Sequence, residues 1–129
     1  MRNMLQEPRM NITDAEFKVM DALWAGRPLS AEQLIAEVRG RTTWGEATVK
    51  TLINRLIKKE AIRSVRADGR HRYEAALEKE AFALSESETL LDRLFGGEVA
   101  PLVAQFAQRR SLSPQDRERL RAIIDAMDD

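Results

Sequence analysis

The chain has 129 residues, of which 43% are hydrophobic, 33% charged and only 5% aromatic. That length suits one compact domain or a small domain with an appended assembly element, and high charge with few aromatics favours helices over sheet. The absence of cysteine excludes disulfides, thiolate metal sites and a cysteine nucleophile. Residues 1–10 carry charges and Pro8 without a continuous apolar run, unlike a signal peptide or membrane span, so a cytoplasmic protein with no membrane insertion is expected.

The net charge of zero averages two unlike halves. Residues 1–77 hold 14 Lys/Arg against 10 Asp/Glu, and residues 78–129 hold 7 against 11. Within residues 39–72, ten basic side chains stand against three acidic ones, a surplus that marks where a polyanion would bind.

In chain order, a first helix is expected from Thr13 or Asp14. Thr13 and Glu16 make a capping box, and Phe17, Met20, Leu23 and Trp24 recur at helical spacing before Gly26 and Pro28. A second opens on Ser30 with Gln33 as its box partner, buries Leu34, Ile35 and Val38, and ends before Gly40. A turn through Arg41, Thr42 and Thr43 leads to a third, for which Thr43 and Glu46 offer another capping box. Its apolar stripe is Val49, Leu52, Ile53, Leu56 and Ile57, so the opposite face must carry Ala47, Lys50, Thr51, Asn54, Arg55 and Lys58. The period then becomes extended, with Ile62 to Ala67, a turn at Asp68-Gly69, and Arg70 to Leu77 forming a hairpin. Helical spacing returns after Glu78 with Phe82, Leu90, Leu91, Leu94 and Phe95, then Val99, Leu102, Val103 and Phe106. A last helix after Ser113-Pro114 carries Leu120, Ile123, Ile124 and Met127.

Helix, helix, basic helix and basic hairpin is the order of a winged helix-turn-helix domain. The expected fold is mainly α with a small β-hairpin wing: a winged helix-turn-helix DNA-binding domain over residues 1–77 and a helical dimerisation region over 78–129. A helix fits the major groove, where its polar side chains read base edges, while arginines on a tight hairpin reach phosphates without reading sequence. The hairpin supplies Arg63, Arg66, Arg70, His71 and Arg72 for that purpose. His71, the one histidine, has no partner ligands in the pattern, so it reads as a phosphate or structural contact rather than a metal ligand. No nucleophile motif accompanies the serines and aspartates, so neither an enzyme nor a cofactor is expected.

The run Ile12-Thr13-Asp14-Ala15-Glu16-Phe17-Lys18-Val19-Met20, then Leu23-Trp24, Thr42-Thr43-Trp44 and Thr48-Val49-Lys50-Thr51-Leu52-Ile53-Asn54-Arg55-Leu56, resembles the penicillinase repressor family (BlaI/MecI/CopY type). Leu91-Asp92-Arg93-Leu94-Phe95-Gly96-Gly97 and the acidic last helix also look like that family's C-terminal region. The resemblance implies a homodimeric repressor on a palindromic DNA operator, released when a membrane-bound signalling metalloprotease cuts the C-terminal region. It places a recognition helix on Glu46 to Lys59, with Thr48, Lys50, Thr51, Asn54 and Arg55 as contacts. With Thr43, Lys58, Arg63, Arg70 and Arg72, these are the candidate DNA-binding residues. Two departures stand out. Many members have Ser-Pro-Lys where this chain has Gly45-Glu46-Ala47, which removes a cationic contact at Ala47 and leaves Glu46 either to repel phosphate or to cap the helix, so the resemblance does not carry over the operator sequence of the resistance repressors. Members cut by the protease present an Asn-Phe bond where this chain has Gln105-Phe106, the candidate cleavage bond. The cysteine cluster of the metal-responsive branch is absent.

The apolar residues beyond 78 are too many for the outside of a small winged domain and too dispersed for a second core. Pairing of two copies would bury Leu91, Leu94, Phe95, Leu102, Val103, Phe106, Leu120, Ile123 and Ile124, the candidate dimer residues. Two other readings stay open: a winged-helix regulator gated by a small molecule rather than by proteolysis, and a protein-interaction module that uses the basic face on an acidic partner.

Overall fold

The computed structural model describes residues 11–109 and 112–127. Residues 1–10, read above as unlike a signal peptide, lie outside them. The elements are α1 (Asp14–Trp24), α2 (Ala31–Arg41), α3 (Glu46–Lys58), β1 (Ile62–Ala67), β2 (Arg70–Ala75), α4 (Lys79–Phe95), α5 (Val99–Arg109) and α6 (Pro114–Ala126). The chain divides into two compact units, the first ending at Ser85 and the second beginning at Glu86.

In the first unit, both capping boxes expected from sequence are present. The Thr13 hydroxyl accepts from the Glu16 N–H while the Glu16 carboxylate accepts from the Thr13 N–H, and Ser30 and Gln33 do the same for α2. Each box satisfies two backbone donors that a helix start otherwise leaves unpaired. The core is three helical stripes meeting: Val19, Met20 and Leu23 from α1, Leu34 and Val38 from α2, and Val49, Leu52, Ile53 and Leu56 from α3. Phe17 and Trp24, read from sequence as part of the α1 stripe, are only half buried. They form an aromatic cluster with Phe82 at centroid distances of 5.6 to 5.9 Å, and Trp24 Nε1 donates to the Leu77 carbonyl at 2.8 Å. The first turn of α4 is thereby tied to α1.

β1 and β2 pair antiparallel from Ile62↔Ala75 to Ala67↔Arg70. Asp68 and Gly69 both have positive φ, 56° and 73°, the left-handed pair that a two-residue hairpin turn demands and that Asp-Gly adopts at low cost. Leu29 joins the outer edge of β2 by exchanging two backbone hydrogen bonds with Tyr73.

Three local expectations are corrected. Thr43 does not cap the third helix: the N-cap is Gly45, with no side-chain cap bond, and Glu46 is the first helical residue. Trp44 packs half-buried against the core and the Thr42 hydroxyl accepts from its N–H, so the chain passes inward before the helix can begin. The second helix runs through Gly40 to Arg41, which is held at the surface by Asp21 and Glu37. The second strand stops at Ala75, because the Ala76 and Leu77 N–H groups turn to the Ala61 carbonyl.

Glu16 is the one buried charged residue among those described, 1% exposed, and its carboxylate meets Lys59 Nζ at 2.6 Å. Burial alone pushes its pKa up. Hydrogen bonds from Lys59 and the Thr13 N–H, with the Lys59 charge, outweigh burial and hold the carboxyl below its ordinary value. A depressed carboxyl pKa contributes stability above the unfolded value, about 4.3, and loses it as pH falls through the folded one. Glu16→Gln is therefore expected to destabilise the protein by about 1–3 kcal/mol near neutral pH, the range of a charge-assisted hydrogen bond. Its denaturant midpoint should also fall less between pH 6 and pH 3 than that of the parent chain. Parallel pH dependence of the two proteins would contradict the pairing.

In the second unit, Ser113 caps α6 by accepting from the Asp116 N–H, with Pro114 at the first helical position as the sequence requires. None of α4, α5 or α6 contains a fully buried residue. Among the described residues no helix is long and apolar enough to cross a membrane.

Candidate nucleic-acid interface

α3 is amphipathic with a clean division. Val49, Leu52, Ile53 and Leu56 are buried, while Glu46, Ala47, Thr48, Lys50, Thr51, Asn54, Arg55 and Lys58 are all exposed. The polar face read from helical spacing is the face the fold leaves open. It offers hydroxyl, amide, guanidinium and ammonium groups, the donors and acceptors that match base edges. The Thr51 hydroxyl donates to the Ala47 carbonyl at 3.0 Å, and Lys50 Nζ lies 3.1 Å from Glu46 Oε2. Thr43 is exposed in the turn before α3.

The strand register sorts the hairpin cations. Directly opposed residues share a face, so Arg63, Arg70 and Arg72 lie on one side of the hairpin and Arg66 and His71 on the other. Arg63 pairs across the strands with Glu74 at 2.6 Å, and Arg72 Nη1 donates to Gln33 Oε1 at 2.8 Å, tying the hairpin to the start of α2. Arg66 Nη1 donates to the Gly69 carbonyl within the turn, and His71 Nε2 is hydrogen-bonded to Ser64 Oγ. Arg70 has no such partner among the described residues.

These pairings redistribute the basic surplus of residues 39–72. Arg41, Lys50, Lys59 and Arg63 each have a carboxylate within 4.0 Å. Lys59 is the clearest loss to the interface, since its ammonium is turned to Glu16 and to the Asn11 carbonyl at 2.6 Å. Among the described residues, Arg39, Arg55, Lys58, Arg66, Arg70 and Arg72 keep cations without a carboxylate partner. Of these, Arg55 and Lys58 stand on the open face of α3 and the last three on the hairpin. Sequence separation hid the Lys59–Glu16 pair, 43 positions apart. The Glu46–Lys50 pair, by contrast, had a legible signal in its i,i+4 spacing.

In the second unit, Leu94 is 59% exposed, Phe106 47%, Ile123 59% and Ile124 63%. Leu91, Phe95, Leu102, Val103 and Leu120 are half buried. A groove of about 390 Å³ runs between Val103 and Phe106 of α5 and Leu120 and Ile123 of α6. Gln105-Phe106 lies within helical backbone of α5. No group of three or more His, Asp or Glu side chains able to hold a metal ion is present among the described residues.

Three helices with the third presenting an open polar face, followed by a tight basic hairpin, define a winged helix-turn-helix protein. The penicillinase repressor family model matches residues 12–126, and the chain belongs to that family. It is 29% identical over 116 residues to a penicillinase repressor of Staphylococcus aureus, covering 90% of this chain and 92% of that protein. It is 29% identical over 113 residues to the methicillin resistance regulatory protein MecI of Staphylococcus aureus strain N315, covering 88% and 92%. Among solved structures it is similar to the monomeric form of Bacillus licheniformis BlaI in complex with the blaP half-operator (27% identity, TM-score 0.51, 57% of this chain and 90% of that one). The DNA-binding domain of the repressor BlaI matches comparably (26% identity, TM-score 0.50, 59% and 93%).

Proposed function

We propose that the chain is a DNA-binding transcriptional repressor that sits as a homodimer on a palindromic operator. The observation that carries this reading is the open face of α3, where Thr48, Lys50, Thr51, Asn54 and Arg55 project from a helix locked into the core by its opposite stripe. Support comes from the family's repressors and from the relative solved with a half-operator. Such a helix enters the major groove and the hairpin contributes phosphate contacts, so residues 1–77 carry DNA recognition and 78–129 dimerisation. A two-fold dimer presents two recognition helices to half-sites at least one helical turn apart, about 34–36 Å.

Release would follow from damage to the dimer region. Cleavage at Gln105-Phe106 by a signalling protease requires local opening of α5, because the bond sits in helical backbone. A regulator gated by a small molecule is the second reading, favoured by the groove between α5 and α6.

Selection of bound sequences from random duplexes tests the main reading. A palindromic motif is the expected result, and recovery of no enriched motif would overturn it. In the same assay format, Arg70→Ala should weaken binding to every duplex alike and lower the slope of log K against log salt by about one, the mark of a lost phosphate contact. A change confined to one operator position would instead make Arg70 a base reader.

A further inference from the structure

Gly45-Glu46-Ala47 stands at the leading edge of α3, the reading helix of the DNA-binding proposal above. Glu46 is the first residue of α3, 56% exposed, and it is not spent on a cap. Its carboxylate instead reaches along the open face to Lys50, 60% exposed, with Oε2 and Nζ 3.1 Å apart. Gly45 before it has φ −86°, which any residue adopts, and an added Cβ would meet nothing within 4 Å. Glycine is thus required there neither by backbone conformation nor by packing inside the protein. Gly45 stands at the N-cap, a position where glycine is among the favoured residues.

We propose that Glu46 and Lys50 act as one unit that reads a single G·C base pair in each half-site, Lys50 donating to guanine O6 and Glu46 accepting from cytosine N4. This rests on the DNA-binding reading above and names a specificity determinant within it. The geometric argument is a match of spacings. Guanine O6 and cytosine N4 are joined by a Watson–Crick hydrogen bond, so they stand about 2.9 Å apart on the major-groove edge. The acceptor–donor pair on the protein has nearly that separation, so four polar atoms close a ring in which every donor faces an acceptor.

The major-groove code then ranks the alternatives. G·C places guanine N7, a second acceptor, beside the ammonium. T·A keeps the acceptor–donor pair but puts adenine N7 beside the carboxylate and the thymine methyl beside Lys50, so it binds less well. The reversed pairs, C·G and A·T, set donor against ammonium and acceptor against carboxylate and are rejected at both contacts. A lysine free of a carboxylate would favour guanine but would lack the second check on its partner base.

The test is selection from random duplexes with the full-length protein, Glu46→Ala and Glu46→Gln, followed by titration of the four base pairs at the affected position. The parent protein is expected to prefer G·C, then T·A, with the reversed pairs about ten- to a hundredfold weaker. Glu46→Ala should bring that ratio toward unity, and Glu46→Gln, which keeps an acceptor oxygen, should retain part of it. If both variants select the parent motif and simply bind every duplex more tightly, Glu46 acts only as a negative charge and the proposal is overturned. Failure of the parent protein to select any motif would sink the DNA-binding reading itself, whereas a selected motif unchanged by either substitution sinks this inference alone. Both side chains are exposed, and unchanged circular dichroism of the variants keeps loss of fold out of the result.

Discussion

Ile123→Asp combined with Ile124→Asp is expected to convert the protein to a monomer and to cut operator affinity by at least about a hundredfold, without loss of helix content. The reasoning starts from exposure. The two side chains are 59% and 63% exposed in the single chain, so a carboxylate placed there remains hydrated and costs the isolated fold little. In a two-fold pair the same positions would be buried against a copy of themselves, and unpaired carboxylates in that seam carry a desolvation and like-charge penalty of several kcal/mol. Specific binding exceeds non-specific binding by about 10³ to 10⁷ in typical systems, and a monomer retains only one of two half-sites. Removal of residues 107–129 should have the same consequence by deleting α6 outright. Sedimentation of the double variant gives the decisive reading: a mass of two chains would show that these isoleucines are not in the seam. A small-molecule occupant of the α5–α6 groove would instead leave the mass unchanged and shift operator affinity only when the ligand is present.

Arg55→Ala and Leu56→Ala, adjacent in sequence, should fail in opposite ways. Leu56 is fully buried in α3, and its truncation leaves a cavity costing about 2–5 kcal/mol, a large share of the roughly 5–15 kcal/mol that holds a domain together. Arg55 is exposed and has no carboxylate partner among the described residues, so its removal should shift the unfolding midpoint little. Its loss should nevertheless weaken operator binding about ten- to a hundredfold, the range of a bidentate base contact. Chemical denaturation and gel shift at one fixed salt concentration separate the two. Should Arg55→Ala bind the operator normally, the open face of α3 is not the reading surface.

Much of this was legible in the sequence because the signals are local. Helical spacing placed Val49, Leu52, Ile53, Leu56 and Ile57 on one side of α3 and the polar candidates on the other; the fold buries the first four, leaves Ile57 half buried and exposes the polar set. Capping boxes at Thr13 and Ser30 and the Asp68-Gly69 turn follow from hydrogen bonds and dihedral angles that span three or four residues. The third expected box failed because a tertiary demand, the packing of Trp44 against the core, outranked the local preference of Thr43. Charge counting likewise overstated the interface. Adding ten cations treats each as free, whereas Lys59 is committed to buried Glu16 and Arg63 to Glu74.

Periodicity and turn chemistry were therefore enough to establish an amphipathic helix with a basic polar face, a basic hairpin and an apolar C-terminal set, since each repeats within one or two turns of chain. Which cations remain available, where α3 begins, and that Leu94, Ile123 and Ile124 stay exposed in the single chain came only from the folded molecule. Those depend on side chains brought together from distant positions, where desolvation and pairing decide which charges stay open and which apolar surface still lacks a partner.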